Sequence, residues 1–198
     1  MSETLRLVIA EEHIRMIRLK DFAFIAVTAF ITAALIYVAQ ALVSPSVMYY
    51  LFLALFVIAL NGTVYVLKKS GVAALFSFLL GLFTLNVDDV GIFGWKKIAV
   101  FFVAALVFEA VFLILKLRLK SVPIDMVLGS SFFMAALPLV TAFFLSPSIV
   151  FSFPVALLNL VLLSFVVGLI ASFVAFVLWH FISGTKFIIR LEAHFGVL

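Results

Sequence analysis

Apolar runs alternate with short polar gaps along the whole chain, and the runs have the length of bilayer crossings. Phe22 to Val43, Val47 to Leu67, Val72 to Val87, Ile98 to Leu115, Met126 to Leu145 and Val155 to Ile182 each come near the roughly 20 residues that an α-helix needs to span a hydrocarbon layer. The pattern predicts an all-α polytopic membrane protein with six transmembrane helices in one bundle over residues 1–198. An even number of crossings puts both termini on one side. Residues 1–21 then form an interfacial segment and residues 183–198 a tail.

The cations say which side that is. Of thirteen Lys and Arg, eleven fall in alternate gaps: Arg6, Arg15, Arg18 and Lys20, then Lys68 and Lys69, then Lys116, Arg118 and Lys120, then Lys186 and Arg190. Short loops rich in Lys and Arg stay inside, so the N and C termini are expected to be cytoplasmic and the chain integral to the cytoplasmic membrane. Lys96 and Lys97 are left facing out. Composition strengthens the reading, because 68% hydrophobic and 11% charged residues lie far from the roughly half and quarter of soluble domains. The net charge of +4 is mostly the orientation signal and implies no nucleic acid partner. With no Cys there is no disulfide framework, thiolate metal site or cysteine nucleophile.

Segment lengths add detail. Val72 to Val87 would reach only about 24 Å and Val155 to Ile182 about 42 Å. The third crossing therefore needs a thinned bilayer or a following loop folded into the outer mouth, and the sixth must tilt or protrude. That loop, Asp88 to Lys97, contains Asp88, Asp89, Gly91, Gly94 and Trp95. Pro138 interrupts the hydrogen bonding of the fifth run and is expected to bend its outer half. Before the first run, Leu5, Val8, Ile9, Met16 and Ile17 fit one face of an interfacial helix. Ser44-Pro45-Ser46 and Ser146-Pro147-Ser148 both mark outer turns.

Polar side chains inside the runs concentrate toward the outer side. Gln40, Asn86 and Asn159 lie near helix ends there, with Asp88, Asp89, Trp95, Lys96, Lys97, Tyr49 and Tyr50 close by in sequence. Two readings are open: a ring around an outward-facing ligand pocket, or an ordinary interfacial aromatic belt. Glu109 is the one acidic residue well inside an apolar run. A charge near the bilayer centre costs on the order of 3 kcal/mol, which leaves ligand or proton handling on one side and interhelical hydrogen bonding on the other. Motifs of hydrolases, zinc peptidases and nucleotide-binding loops are absent from the sequence. Asp88 and Asp89 alone do not make a metal site, so neither an enzyme, nor a cofactor, nor a metal is expected.

Small residues form the last organised signal. Ala26, Ala29, Ala33 and Ala34 make a stripe on the first run that contains Ala29-x-x-x-Ala33, and Gly71, Ala73, Ala74, Ser77 and Gly81 make another on the third. With the basic Arg18-Leu19-Lys20 lead and Lys68-Lys69-Ser70-Gly71-Val72-Ala73-Ala74-Leu75, the chain resembles the substrate-binding S components of energy-coupling factor transporters for vitamins and metals. The resemblance implies a receptor that binds a vitamin-like small molecule from outside. It also implies a transmembrane coupling subunit docked on Ala29 and Ala33, partner ATPase subunits that supply energy, and a gating loop from Asp88 to Lys97. The ligand-binding set is then Gln40, Asn86, Asp88, Asp89, Trp95, Glu109 and Asn159. A proton-coupled carrier using Glu109 and a noncatalytic scaffold subunit, both surrounded by membrane lipid, are the alternatives.

Overall fold

The computed structural model describes residues 7–9, 17–88, 91–115, 117–119 and 122–195. Eight helices occur among them: α1 Leu19–Leu42, α2 Pro45–Leu67, α3 Val72–Phe83, α4 Trp95–Leu115, α5 Ile124–Leu145, α6 Pro147–Ser152, α7 Pro154–Ile182 and α8 Lys186–Phe195. Five of these, α1, α2, α4, α5 and α7, are long and apolar enough to cross a membrane. The chain is an integral, multi-span helical membrane protein.

The third expected span is the one that differs. Instead of running from Val72 to Val87, α3 is 12 residues long, or about 18 Å. Gly71 starts it at φ +82, a left-handed conformation in which a side chain would be strained. Thr84 ends it, after which the Val87 N–H bonds the Thr84 carbonyl and the backbone turns away. Asn86, Asp88, Gly91 and Gly94 supply the turn-forming chemistry beyond. Gly81 lies against the Ile98 backbone, and the Ala73 N–H meets Glu109, so α3 runs antiparallel along α4.

The basic gaps gather at one end. Lys69 pairs with Asp21 at 2.5 Å, and the Asp21 carboxylate also accepts the Arg18 N–H at 2.7 Å, capping α1. Lys20 donates to the His194 carbonyl and sits over the Phe195 ring, which fixes α8 beside the start of α1. Ile188 and Phe195 form the buried face of that short amphipathic helix, while Phe187 and Ile189 are exposed. The loop between α4 and α5 is a small antiparallel sheet in which β1 Leu7–Ile9 pairs with β2 Leu117–Leu119, and β2 with β3 Val122–Pro123. Val8 and Ile9, expected on an interfacial helix, are therefore strand residues. A short apolar stretch fits either period, and here the backbone of β2 offers a partner. Leu5 and Met16 lie outside the described residues.

Five fully buried phenylalanines fill the middle of the bundle. Phe56 of α2 stacks on Phe133 of α5 at 4.8 Å and meets Phe101 of α4 and Phe76 of α3 edge-on at 5.5 and 5.7 Å. Phe52 lies 5.7 Å from both Phe56 and Phe101. Separations in this range suit aromatic rings, whose edges are attracted to neighbouring faces.

Helix α7 uses the opposite solution. Its buried face is Ser164, Gly168, Ala171, Ser172 and Ala175, a spacing that lets α5 approach closely. Much of the rest of α7, including Leu158, Leu162, Val166, Ile170, Phe173 and Phe181, is exposed and apolar, as suits a lipid-facing surface.

Candidate functional site

The residues expected to ring an outer mouth come from α1, the turn after α3, the start of α4 and α7. Gln40, Asn86, Asp88 and Asn159 are exposed, and Asp89 lies outside the described residues. Trp95 is 75% exposed and lines a shallow hollow of about 350 Å³ with Phe78, Ile98, Ala99 and Phe102. Ala29 and Ala33 are buried within the chain's own core, where α1 packs on α2 and α3.

Glu109 is buried, and its Oε1 accepts the Ala73 N–H at 2.9 Å. Ala73 is the second residue of α3, whose Gly71 cap has no side chain to serve the free N–H groups. Glu109 thus supplies from a neighbouring helix the acceptor that α3 lacks, and places a carboxylate at the positive end of its dipole.

The other end of α3 is served in the same way. Lys97, expected to face out in the loop after the third run, is 0% exposed, and its Nζ donates to the carbonyls of Thr84 and Val87 at 2.8 and 3.0 Å. The ammonium also lies 5.4 Å from the Phe101 ring and 5.9 Å from Phe52, over the phenylalanine core. The Lys97 side chain thus packs against the turn that follows α3.

A cavity of about 390 Å³ opens elsewhere, between α2, α5 and α7 at the end remote from the basic gaps. Its walls include Leu137, Pro138, Thr141, Ala142 and Leu145 of α5, Ala156, Leu157 and Leu160 of α7, Phe153 from the turn before α7, and Tyr49 of α2. The Tyr49 hydroxyl is 3.0 Å from Ser164 Oγ, which ties α2 to α7 at the cavity wall. Pro138, inside α5 and on this wall, cannot donate to the carbonyl one turn earlier. Deeper in the bundle, Asn61 Nδ2 donates to Ser172 Oγ at 2.8 Å and Ser130 Oγ donates to Asn61 Oδ1 at 2.9 Å, so the same three helices are joined below the cavity.

No family model, no curated protein and no solved structure matches this chain. The site rests on its own geometry.

Sequence reasoning singled out Tyr49 and Pro138, both of which line the cavity. It missed Thr141, Lys97 as a buried group, and the pair Asp21 and Lys69. The signal for Lys97 lay in its distance from Glu109 along one helix, which matches the length of α3, and nothing local to either residue reveals it.

Proposed function

We propose that this chain is a membrane-embedded binding subunit for a small molecule, with six passes, both termini cytoplasmic and a binding rather than a catalytic role. The cavity between α2, α5 and α7 carries the proposal: about 390 Å³ falls in the range of small-molecule sites, and its mostly apolar wall with few polar groups has their usual chemistry. Six passes follow if α3 and its trailing turn together count as the third, since α3 runs back along α4. The basic residues at the opposite end set the orientation, so the cavity faces outward. The resemblance to S components supplies the finer reading, a receptor that hands its ligand to an ATP-driven importer through a transmembrane coupling subunit and ATPase subunits. In that case the coupling subunit meets a surface other than Ala29 and Ala33, which this chain already covers.

A proton-coupled carrier is less well supported, because Glu109 is engaged at the start of α3. The scaffold reading draws on the phenylalanine-filled centre. One experiment separates receptor from scaffold: native mass spectrometry of the purified chain, beside the variant Leu157→Trp, which fills the cavity. A receptor retains a small molecule that the variant loses while remaining folded. A chain that carries no molecule, and whose thermal unfolding no added compound shifts, is a scaffold.

A further inference from the structure

Helix α8 has a face that the bundle leaves uncovered, and its place at the membrane boundary is set at both ends. Its start follows the end of α7 at Ile182 after only Ser183, Gly184 and Thr185, three residues that reach at most about 11 Å. The Thr185 N–H and hydroxyl both donate to the Ile182 carbonyl, at 2.9 and 2.8 Å, and close that turn. Its end is held at the start of α1, where Lys20 donates to the His194 carbonyl and Phe24 meets Phe195 at 5.2 Å. Both anchors are ends of helices long and apolar enough to span. Helix α8, about 15 Å long, therefore lies along the basic end of the bundle, where the spans leave the bilayer.

Its two faces differ in chemistry. Ile188 and Phe195 are buried and Leu191 packs against the core, whereas Lys186, Phe187, Ile189 and Arg190 are all exposed. Helical spacing puts Lys186 and Arg190, four residues apart, side by side, with Phe187 on one flank and Ile189 on the other. Apolar exposure runs onto this face from the adjoining span ends, through Phe181 and Ile182 of α7 and Leu19 and Phe22 of α1. Two like charges on adjacent turns repel, and an anion between them relieves the repulsion. The described acidic side chains at this end, Asp21 and Asp125, are buried, while Arg18 and Lys68 are exposed and add to its positive charge. Paired cations flanked by exposed apolar groups suit a helix in the headgroup layer, with apolar side chains in the acyl boundary and cations on phosphates.

We propose that this face of α8 binds anionic phospholipid of the leaflet at the basic end. Lys186 and Arg190 hold the headgroup phosphate, Arg190 through its paired N–H groups, and Phe187 and Ile189 enter the acyl boundary. An acidic protein segment would match the cations as well, but the tethers keep α8 among headgroups at all times. The step needs only that the chain spans a membrane, so it stands apart from what the cavity holds.

The test is native mass spectrometry of the full chain after equilibration in detergent with equal amounts of phosphatidylglycerol and phosphatidylcholine. The unaltered chain is expected to retain phosphatidylglycerol over phosphatidylcholine by about ten- to thirtyfold, roughly fivefold per cation. The double variant Lys186→Gln with Arg190→Gln should lose that preference, and Lys96→Gln, at the opposite end, should keep it. All three side chains are exposed, so unfolding temperatures should stay close to that of the unaltered chain. Because the chain has no Cys, a nitrobenzoxadiazole fluorophore on Phe187→Cys reports depth in nanodiscs containing phosphatidylglycerol. Quenching by lipid spin-labelled near the headgroup is expected, with little quenching by iodide in the water. Equal retention of the two lipids, or a preference that survives in the double variant, would overturn the proposal. A fluorophore reached by iodide and not by spin-labelled lipid would do the same, and is what a face for an acidic protein would give. Displacement of the retained lipid by glycerol 3-phosphate would also overturn it, by showing a free-phosphate site that needs no acyl chain.

Discussion

Lys97 and Glu109 stand on one helix, α4, and hold opposite ends of another, α3: Glu109 accepts from the Ala73 N–H at its start, and Lys97 donates to the Thr84 and Val87 carbonyls beyond its end. Their separation along α4 is about 18 Å, the length of α3. Each charge also opposes the partial charge of the α3 terminus it touches. A helix of 12 residues is marginal alone, and apolar surroundings offer its end groups no water. The two buried charges are thus explained by the short helix between them.

That arrangement predicts a graded response at Glu109. Glu109→Gln keeps an acceptor for Ala73 and loses only the charge, and is expected to lower stability by about 0.3–1 kcal/mol. Glu109→Leu leaves a buried N–H unserved and is expected to cost about 1–3 kcal/mol, as is Lys97→Met at the other end. Thermal unfolding in detergent micelles measures all three. Equal losses for the Gln and Leu variants would show that capping is not what Glu109 does.

Gly168 controls how closely α7 approaches α5. A Cβ there would lie 2.9 Å from Ser131 Cα and 3.1 Å from Met134 Cβ, closer than packed atoms tolerate. Gly168→Ala should therefore force the helices apart and destabilise by about 1–3 kcal/mol. Gly62, on α2, has nothing within 4 Å of the same added atom, so Gly62→Ala should stabilise by up to about 1 kcal/mol through helix propensity alone. Unfolding temperatures that move in opposite directions in the two variants would establish the contrast.

The hydrophobic pattern reveals the long helices because crossing a membrane demands a local run of apolar residues, and α1, α2, α4, α5 and α7 each lie within a few residues of the expected bounds. What it conceals is pairing. Ala29-x-x-x-Ala33 is visible as a small-residue stripe, but the sequence cannot say whether this chain or another covers it; here it is this chain. Ser164, Gly168 and Ser172 carry the same spacing on α7, and there Gly168 packs against Ser131 and Met134 of α5. Gln40 and Asn159 are polar residues in apolar runs, yet both face outward, so position along a helix was readable and direction around it was not. Thr141 carries no signal of its own in an apolar run, and only its place on the cavity wall in three dimensions brings it to notice.

The pair Asp21 and Lys69 ties the start of α1 to the link between α2 and α3, with the two side chains 0% and 4% exposed. Removing one member strands the other, so Lys69→Met is expected to cost about 3 kcal/mol, less if water reaches the carboxylate. Asp21→Leu combined with Lys69→Met should recover most of that loss, since no charge is then left buried. Denaturant or thermal unfolding of the two single variants and the double variant completes the cycle. A double variant as unstable as the sum of the singles would mean that the two residues do not act on each other.

Asn61 makes a prediction about specificity as well as stability, because its one side chain serves two helices: it donates to Ser172 on α7 and accepts from Ser130 on α5. Interhelical hydrogen bonds in membranes average roughly 0.6 kcal/mol and reach about 1.7, so Asn61→Leu, which forfeits both, is expected to cost about 1–2 kcal/mol. Ser130→Ala and Ser172→Ala should each cost about half as much. If the amide acts as a single junction, the double variant Asn61→Leu with Ser172→Ala is scarcely worse than Asn61→Leu alone, whereas independent contributions would add. Since α2, α5 and α7 are also the helices that wall the cavity, loosening this junction should blur its shape. Native mass spectrometry of Asn61→Leu is therefore expected to show less of any small molecule that the unaltered chain retains, a change that a purely local packing defect would not produce.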